Sequence, residues 1–229
     1  MDWYTFALAY TAILSGTLGI AFYVVYHEGD KAFYAKLFAL SFLFFSATML
    51  LSLLRIYVTV PWEKLVIFAL NLFGLLSIQF NFVGVLNWNN KKLYLSSNIA
   101  IGGLIVVIFS FFLFVYPSID ARIVITRTIA SGYAFACVWA ILYRPSHMDL
   151  GHWISALFLA TYGIAQLVSM SVLLIFDAAD IIDSSNNQQF FNLSSTKLSF
   201  ILFPVTFIGA GLFYMASILI QSLRKPPAY

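Results

Sequence analysis

The polar residues able to do chemistry in this chain are few, and they sit inside or beside long apolar stretches. One set is Arg55, Glu63, Lys64, Arg122 and Arg127. Guanidinium groups next to hydrocarbon need carboxylates, carbonyls or an anionic ligand. Two readings are open. The cations snorkel to a membrane interface and pair with Glu63, Asp120 or the acidic segment holding Asp177, Asp180 and Asp183. Alternatively, they line a pocket for an anionic or polar ligand, with the acidic segment as a lid displaced on binding. A second set is Asn71 and Gln166, each about ten residues from a helix end and therefore near mid-depth. Thr161, Tyr162 and Tyr133 fall nearby in depth. Hydrogen bonding between helices is one account of this pair, and the floor of a binding pocket is the other. Gln79, Asn81, Ser96, Ser97 and Asn98 flank the short segment Asn87–Lys92 and are read as solvating a helix hairpin, with no further role.

Several chemistries are excluded by what these sets lack. His27, His147 and His152 are all expected in loops, so no intramembrane histidine set exists for haem or zinc. Every Asp and Glu falls near a span end or in a loop, which argues against a proton-coupled pump. A retinal protein needs a lysine midway along its last helix, and Lys197 lies at the mouth. There is no Gly-rich phosphate loop, no catalytic motif and no cofactor to expect. Cys137 stands alone in an apolar run and reads as a small buried side chain. The net charge of +3 sits at helix ends, with no basic tract for nucleic acid.

The elements that must carry these residues follow from composition. Of 229 residues, 62% are hydrophobic and 9% charged, against roughly 25% charged in a soluble domain. A helix crosses a hydrocarbon core with about 20 mostly apolar residues, and lipid leaves the backbone no other partner. Seven such spans are expected, at about Trp3–Val25, Ala32–Val58, Pro61–Leu86, Tyr94–Tyr116, Arg122–Tyr143, His152–Phe176 and Lys197–Leu223. The fold class is therefore an all-α seven-transmembrane helix bundle forming a single domain.

Lys31, Lys36, Lys91, Lys92, Arg144, Arg224 and Lys225 collect on one side, which should be cytoplasmic. That places the N-terminus outside and the C-terminus inside. Trp3, Trp62 and Tyr116 would mark the outer interface, and Tyr26, Trp88, Tyr94, Tyr143 and Trp153 the inner one. Five connections are short, which makes sequence neighbours antiparallel. The sixth, Asp177–Thr196, is long, acidic at its start and free of Lys and Arg. It also holds the weak glycosylation match Asn192-Leu193-Ser194. Small residues at Ser15, Gly16, Gly19, Gly102, Gly103, Ser131 and Gly132 read as close-packing faces, one of which could form a homodimer. On the last helix Pro204 predicts a kink, and Gly209 and Gly211 a weak spot, as expected of a moving output element.

The chain resembles the seven-helix N-terminal membrane domains of bacterial signalling proteins, especially those preceding GGDEF diguanylate cyclase domains. The resemblance lies in Leu54-Arg55, Val60-Pro61, Ala69-Leu70-Asn71-Leu72, Gly84 and the Lys91-Lys92 exit. It continues at Ala121-Arg122-Ile123-Val124, and at Ile208-Gly209-Ala210-Gly211-Leu212-Phe213 running to Ser222-Leu223-Arg224-Lys225. It implies a sensory domain of a bacterial inner membrane coupled to a cytoplasmic effector. On the matching positions it makes Arg55, Asn71 and Arg122 the polar residues of the family type. The sequence ends at Tyr229, where that group continues into its enzyme domain, so this stretch carries no cyclase of its own.

Together these readings give an expected function. A ligand or lipid binds in the outer half of the bundle, with Arg55, Arg122 and Arg127 holding its polar part and Asn71, Gln166 and Tyr162 its buried part. The seventh helix carries the change to an effector. The competing expectation is a small carrier or lipid-handling protein, for which repeats and a polar path open to both sides would be needed.

Overall fold

The computed structural model describes residues 3–28, 32–57, 62–91, 95–143, 150–175 and 194–224. Seven helices account for nearly all of them: α1 Trp3–Glu28, α2 Phe33–Arg55, α3 Glu63–Trp88, α4 Leu95–Ser110, α5 Ile119–Leu142, α6 Leu150–Ile175 and α7 Ser194–Arg224. Each includes a stretch long and apolar enough to cross a membrane, α4 together with the π-helical turn Phe111–Val115 that continues it, and among the described residues there is no strand. This is the architecture of an integral membrane protein. Every helix end lies within about three residues of its sequence expectation except that of α4, which stops at Ser110 and reaches the expected end only through the π-helical turn Phe111–Val115.

Pairing follows a single rule along most of the chain. Ser46 Oγ donates to Ala12 O at 2.7 Å, Ser41 Oγ to Ser77 O at 2.8 Å and Gln79 Nε2 to Asn98 O at 2.6 Å. Ser131 Oγ donates to Gly163 O at 3.0 Å and Ser155 Oγ to Ala210 O at 3.4 Å. One side-chain-to-carbonyl bond thus ties each of α1–α2, α2–α3, α3–α4, α5–α6 and α6–α7. Such bonds contribute roughly 0.6 kcal/mol each in a membrane, so they set register more than they set stability. Second contacts run the opposite way along each partner, as Arg127–Gln166 beside Ser131–Gly163 and Tyr162–Phe203 beside Ser155–Ala210 show, so sequence neighbours are antiparallel. The end of the bundle where α3, α5 and α7 begin is termed the upper end below.

Two helices depart from equal partnership. α7 packs on α6 and α1 and reaches further with its side chains: Gly211 faces Phe42 of α2 and Leu18 of α1, while Tyr214 stacks on Phe38 of α2 and meets Trp88 of α3 edge-on. A Cβ at Gly211 would strike the Phe42 ring, and one at Gly209 would come within 2.7 Å of Phe158 of α6. These glycines are contact points between rings, where the sequence suggested a weak spot. Gly103 and Gly132, by contrast, have nothing within 4 Å of an added Cβ, so among the described residues neither makes a close helix contact.

α4 is peripheral, leaning on α3 through Gln79 against Gly102 and through Phe68 against Phe114 at 5.8 Å. Its last turn, Phe111–Val115, widens into a π-helix with Tyr116 N donating to Phe111 O at 2.9 Å. Pro117 follows and can donate no amide to continue the ladder. Its exposed Ile101, Leu104, Val107 and Phe111 are the side chains a lipid-facing helix would present.

The core is aromatic and continuous. Phe22 stacks with Phe42 at 5.7 Å, Phe42 meets Phe207 at 5.2 Å, and Phe207 meets Tyr162 at 5.8 Å. At the lower end Phe38, Tyr214 and Trp88 close the stack, and His152 lies flat on Trp88 at 4.3 Å. Two sequence expectations fail here. Trp88, the last residue of α3, is buried in the bundle rather than exposed on its surface. His152 is not in a loop: α6 starts at Leu150, and the helical turn points the imidazole inward, where it is 3% exposed. Trp62, Tyr116, Tyr143 and Trp153 remain exposed at helix ends, as the aromatic-belt reading requires.

Candidate functional site between the fifth, sixth and seventh helices

Three helices bring polar groups to one depth. Arg127 lies eight residues into α5, Gln166 nine residues before the end of α6, and Phe203 nine residues into α7. At 1.5 Å per residue all three sit roughly 12–14 Å below the upper end of their helices. Ser131 holds the α5–α6 register through its bond to Gly163 O, and Thr128 Oγ1 meets Met170 Sδ at 3.6 Å one turn above. That register faces Arg127 towards Gln166.

The Arg127 guanidinium donates from Nη1 to Gln166 Oε1 at 2.7 Å. Its carbon lies 4.7 Å over the ring of Phe203, the residue before Pro204. Tyr162, one turn from Gln166 on α6, places its hydroxyl against the Gln166 amide and within electrostatic reach of Arg127. Its ring packs on Phe203 at 5.7 Å and Phe207 at 5.8 Å. Arg127, Gln166 and Tyr162 therefore form one cluster, although position along the chain suggested separate outer and middle sets.

Magnitudes show why the arginine is tolerated, and its donor count shows what this cluster leaves open. Placing an arginine at the centre of a transmembrane helix costs roughly 2.5–3.5 kcal/mol on insertion scales. A hydrogen bond to a charged group offsets about 1.5–3 kcal/mol, and a desolvated cation–π contact about 2 kcal/mol. Together the two contacts, at about 3.5–5 kcal/mol, cover the cost, so the arginine is tolerated. They use one of five N–H donors. Among the described residues no carboxylate pairs with Arg127. The remaining donors can hold a carboxylate, a phosphate or a carbonyl in the planar geometry that guanidinium favours.

The other residues expected in the site are placed elsewhere. Arg55 at the end of α2 pairs with Glu63 at the start of α3, Nη2 to Oε1 at 3.7 Å, as the first reading of the cations proposed. Arg122 turns back to its own helix entrance, with Nε donating to Ser118 O at 3.2 Å. Ser118 caps α5 by accepting from Ala121 N at 3.2 Å. Asn71 donates to Ile67 O at 2.8 Å on its own helix and forms no hydrogen bond with Gln166. The expected lid residues Asp177, Asp180 and Asp183 lie outside the described residues.

Sequence reasoning also missed Phe203, whose type gave no signal in a chain with 24 Phe. Its neighbour Pro204 was the signal available. Asn81, read as solvating a hairpin, is buried beside Cys137, with Sγ to Oδ1 at 3.8 Å. Gln79 bonds across to α4 rather than to solvent.

Among the described residues no group of three or more His, Cys, Asp or Glu could hold a metal ion. Comparison of the chain with family models, with curated proteins and with solved structures returned no match.

Proposed function

We propose that this chain is a membrane sensory domain. A polar ligand carrying a carboxylate, phosphate or carbonyl binds at Arg127, Gln166 and Tyr162, and α7 passes the event to the opposite end of the bundle. The observation that carries this reading is the position of Arg127. Its guanidinium keeps four N–H donors beyond the bond to Gln166, and it rests on the ring that precedes Pro204. A ligand that draws the guanidinium away from Phe203 changes the contacts of α7 beside Pro204. The packed rings Phe203, Tyr162, Phe207 and Phe42 then run on from that point. Ligand and α7 are thereby linked by a differential contact, which a population shift between two packings requires.

The resemblance to membrane domains that precede GGDEF cyclases makes a cytoplasmic diguanylate cyclase the effector of choice. It also favours a dimer in a bacterial inner membrane, with the upper end outside. The charge distribution supports the same sidedness.

The test uses the chain in lipid nanodiscs with a nitroxide on Leu223→Cys in a Cys137→Ala background. Short-chain carboxylates, organic phosphates and neutral amides serve as probes. One class is expected to change the spectrum saturably, with Arg127→Gln weakening that response at least tenfold and Arg55→Gln leaving it intact. A response that survives Arg127→Gln removes the site. Flux of the probe into proteoliposomes, with no spectral change at residue 223, replaces the sensor by a carrier.

A further inference from the structure

A second polar set lies deeper in the bundle, and the proposed signalling does not use it. On α3, Ser77 and Asn81 stand one turn apart on the same face, and each is 1% exposed. On α5, Tyr133 packs its ring on Phe82 at 5.5 Å, while Cys137 approaches Asn81 Oδ1 at 3.8 Å. On α7, Tyr214 is fully buried, with its ring 4.8 Å from Phe38. Tyr214 also meets Trp88 of α3 edge-on at 5.5 Å, so the lower half of α3 packs against both α5 and α7.

The hydroxyls of Ser77, Tyr133 and Tyr214 are buried, and none has a hydrogen-bond partner among the described residues. Native interiors contain few such groups, because each has given up its bonds to water. Packing does not explain the phenols, since phenylalanine would make the same ring contacts. Their hydroxyls therefore answer to a ligand. The set contains no Asp, Glu, Lys, Arg or His, so that ligand is neutral. Hydroxyls and an amide offer it donors and acceptors together. Water fits this chemistry: enclosed waters take about three bonds from groups otherwise unsatisfied.

We propose that Asn81, Tyr133 and Tyr214 bind enclosed water that bridges α3, α5 and α7. Hydration then forms part of the seat of α7, one turn from the Gly211 contact. The site stands apart from Arg127 and does not depend on the sensory reading.

Infrared spectra of the full chain in nanodiscs, recorded in ordinary water and in water enriched in oxygen-18, test the proposal. The wild type should show an O–H stretching band outside the bulk envelope that shifts with the isotope. Tyr133→Phe and Tyr214→Phe should each abolish it. Each should also lower the unfolding equilibrium about tenfold towards the unfolded side, as loss of a satisfied buried bond does. Because the bridge is shared, the double variant should be little worse than either single one. Phe retains the rings, so both variants fold. Absence of an isotope-sensitive band overturns the proposal, as do variants as stable as the wild type or more so. Destabilised variants whose band ignores the isotope also overturn water, and assign the hydroxyls to a neutral organic ligand.

Discussion

Arg127 of α5 and Phe203 of α7 are joined by a cation–π contact of 4.7 Å, and Phe203 is the residue on which the proline interruption of α7 begins. Pro204 supplies no amide to the carbonyl four residues back, so the helix is held less firmly by its own ladder at this point. A charge placed there does more than one placed mid-helix, because the backbone beside it is the part most easily bent.

The bond between Arg127 and Gln166 should be worth more than its geometry alone. Gln166→Leu leaves the guanidinium without its acceptor and should destabilise the bundle by about 1.5–3 kcal/mol. Arg127→Met combined with Gln166→Leu should recover most of that loss, because no unpaired charge is then buried. Reversible unfolding in mixed micelles gives the double-mutant cycle. Additive losses would show the two side chains to be independent.

Gly211 and Gly132 predict opposite outcomes for the same substitution. Gly211→Ala drives a methyl into Phe42 and to 2.7 Å from Leu18 Cδ2, and should cost about 1–3 kcal/mol. Gly132→Ala meets nothing within 4 Å and should be neutral or stabilising by up to about 1 kcal/mol. Midpoints of thermal unfolding compare the two directly.

At the lower end, Lys91 places its ammonium 4.6 Å over Trp139 and 5.0 Å over Tyr143. Desolvation holds its pKa below the ordinary lysine value. Between the folded and unfolded pKa values the unfolded chain binds more protons, so stability rises with pH as the ordinary lysine value is approached. Unfolding measured from about pH 8 to about pH 10 should show a shallow rise, and Lys91→Met should flatten it. A slope unchanged in that variant assigns the effect to another group.

Cys137 is the only cysteine in the sequence and is fully buried. A maleimide should label it slowly in the folded protein, at a rate that follows opening of the bundle. Gly211→Ala should speed that labelling, since the substitution weakens the α7 seat. Fast labelling of the wild type would contradict the burial of this thiol.

How much could be read beforehand depended on the physics behind each feature. Seven helices were legible because a fixed hydrocarbon thickness imposes a length on every apolar run. Arg127 and Gln166 were both picked out, since a polar group within such a run always requires an explanation. Their union was not legible. It depends on the sliding register of α5 against α6, which Ser131 and Gly163 set at one hydrogen bond. Asn71 misled for a related reason: an amide one turn from its own carbonyl can satisfy itself, and composition does not distinguish that from a bond between helices. His152 was lost to a boundary. Two residues of extra helix turned an expected loop side chain into a ring stacked on Trp88.

Gly209 and Gly211 give α7 a mechanical property as well as a close fit. The two positions lie on different faces of the helix, and each receives a phenylalanine ring, Phe158 from α6 and Phe42 from α2. Turning α7 by one residue would bring Ala210 or Leu212 onto those rings. The helix is therefore keyed like a shaft in a slot. Rotation about its own axis and sliding along it are both blocked, and tilting about the two contacts is the freedom left to it.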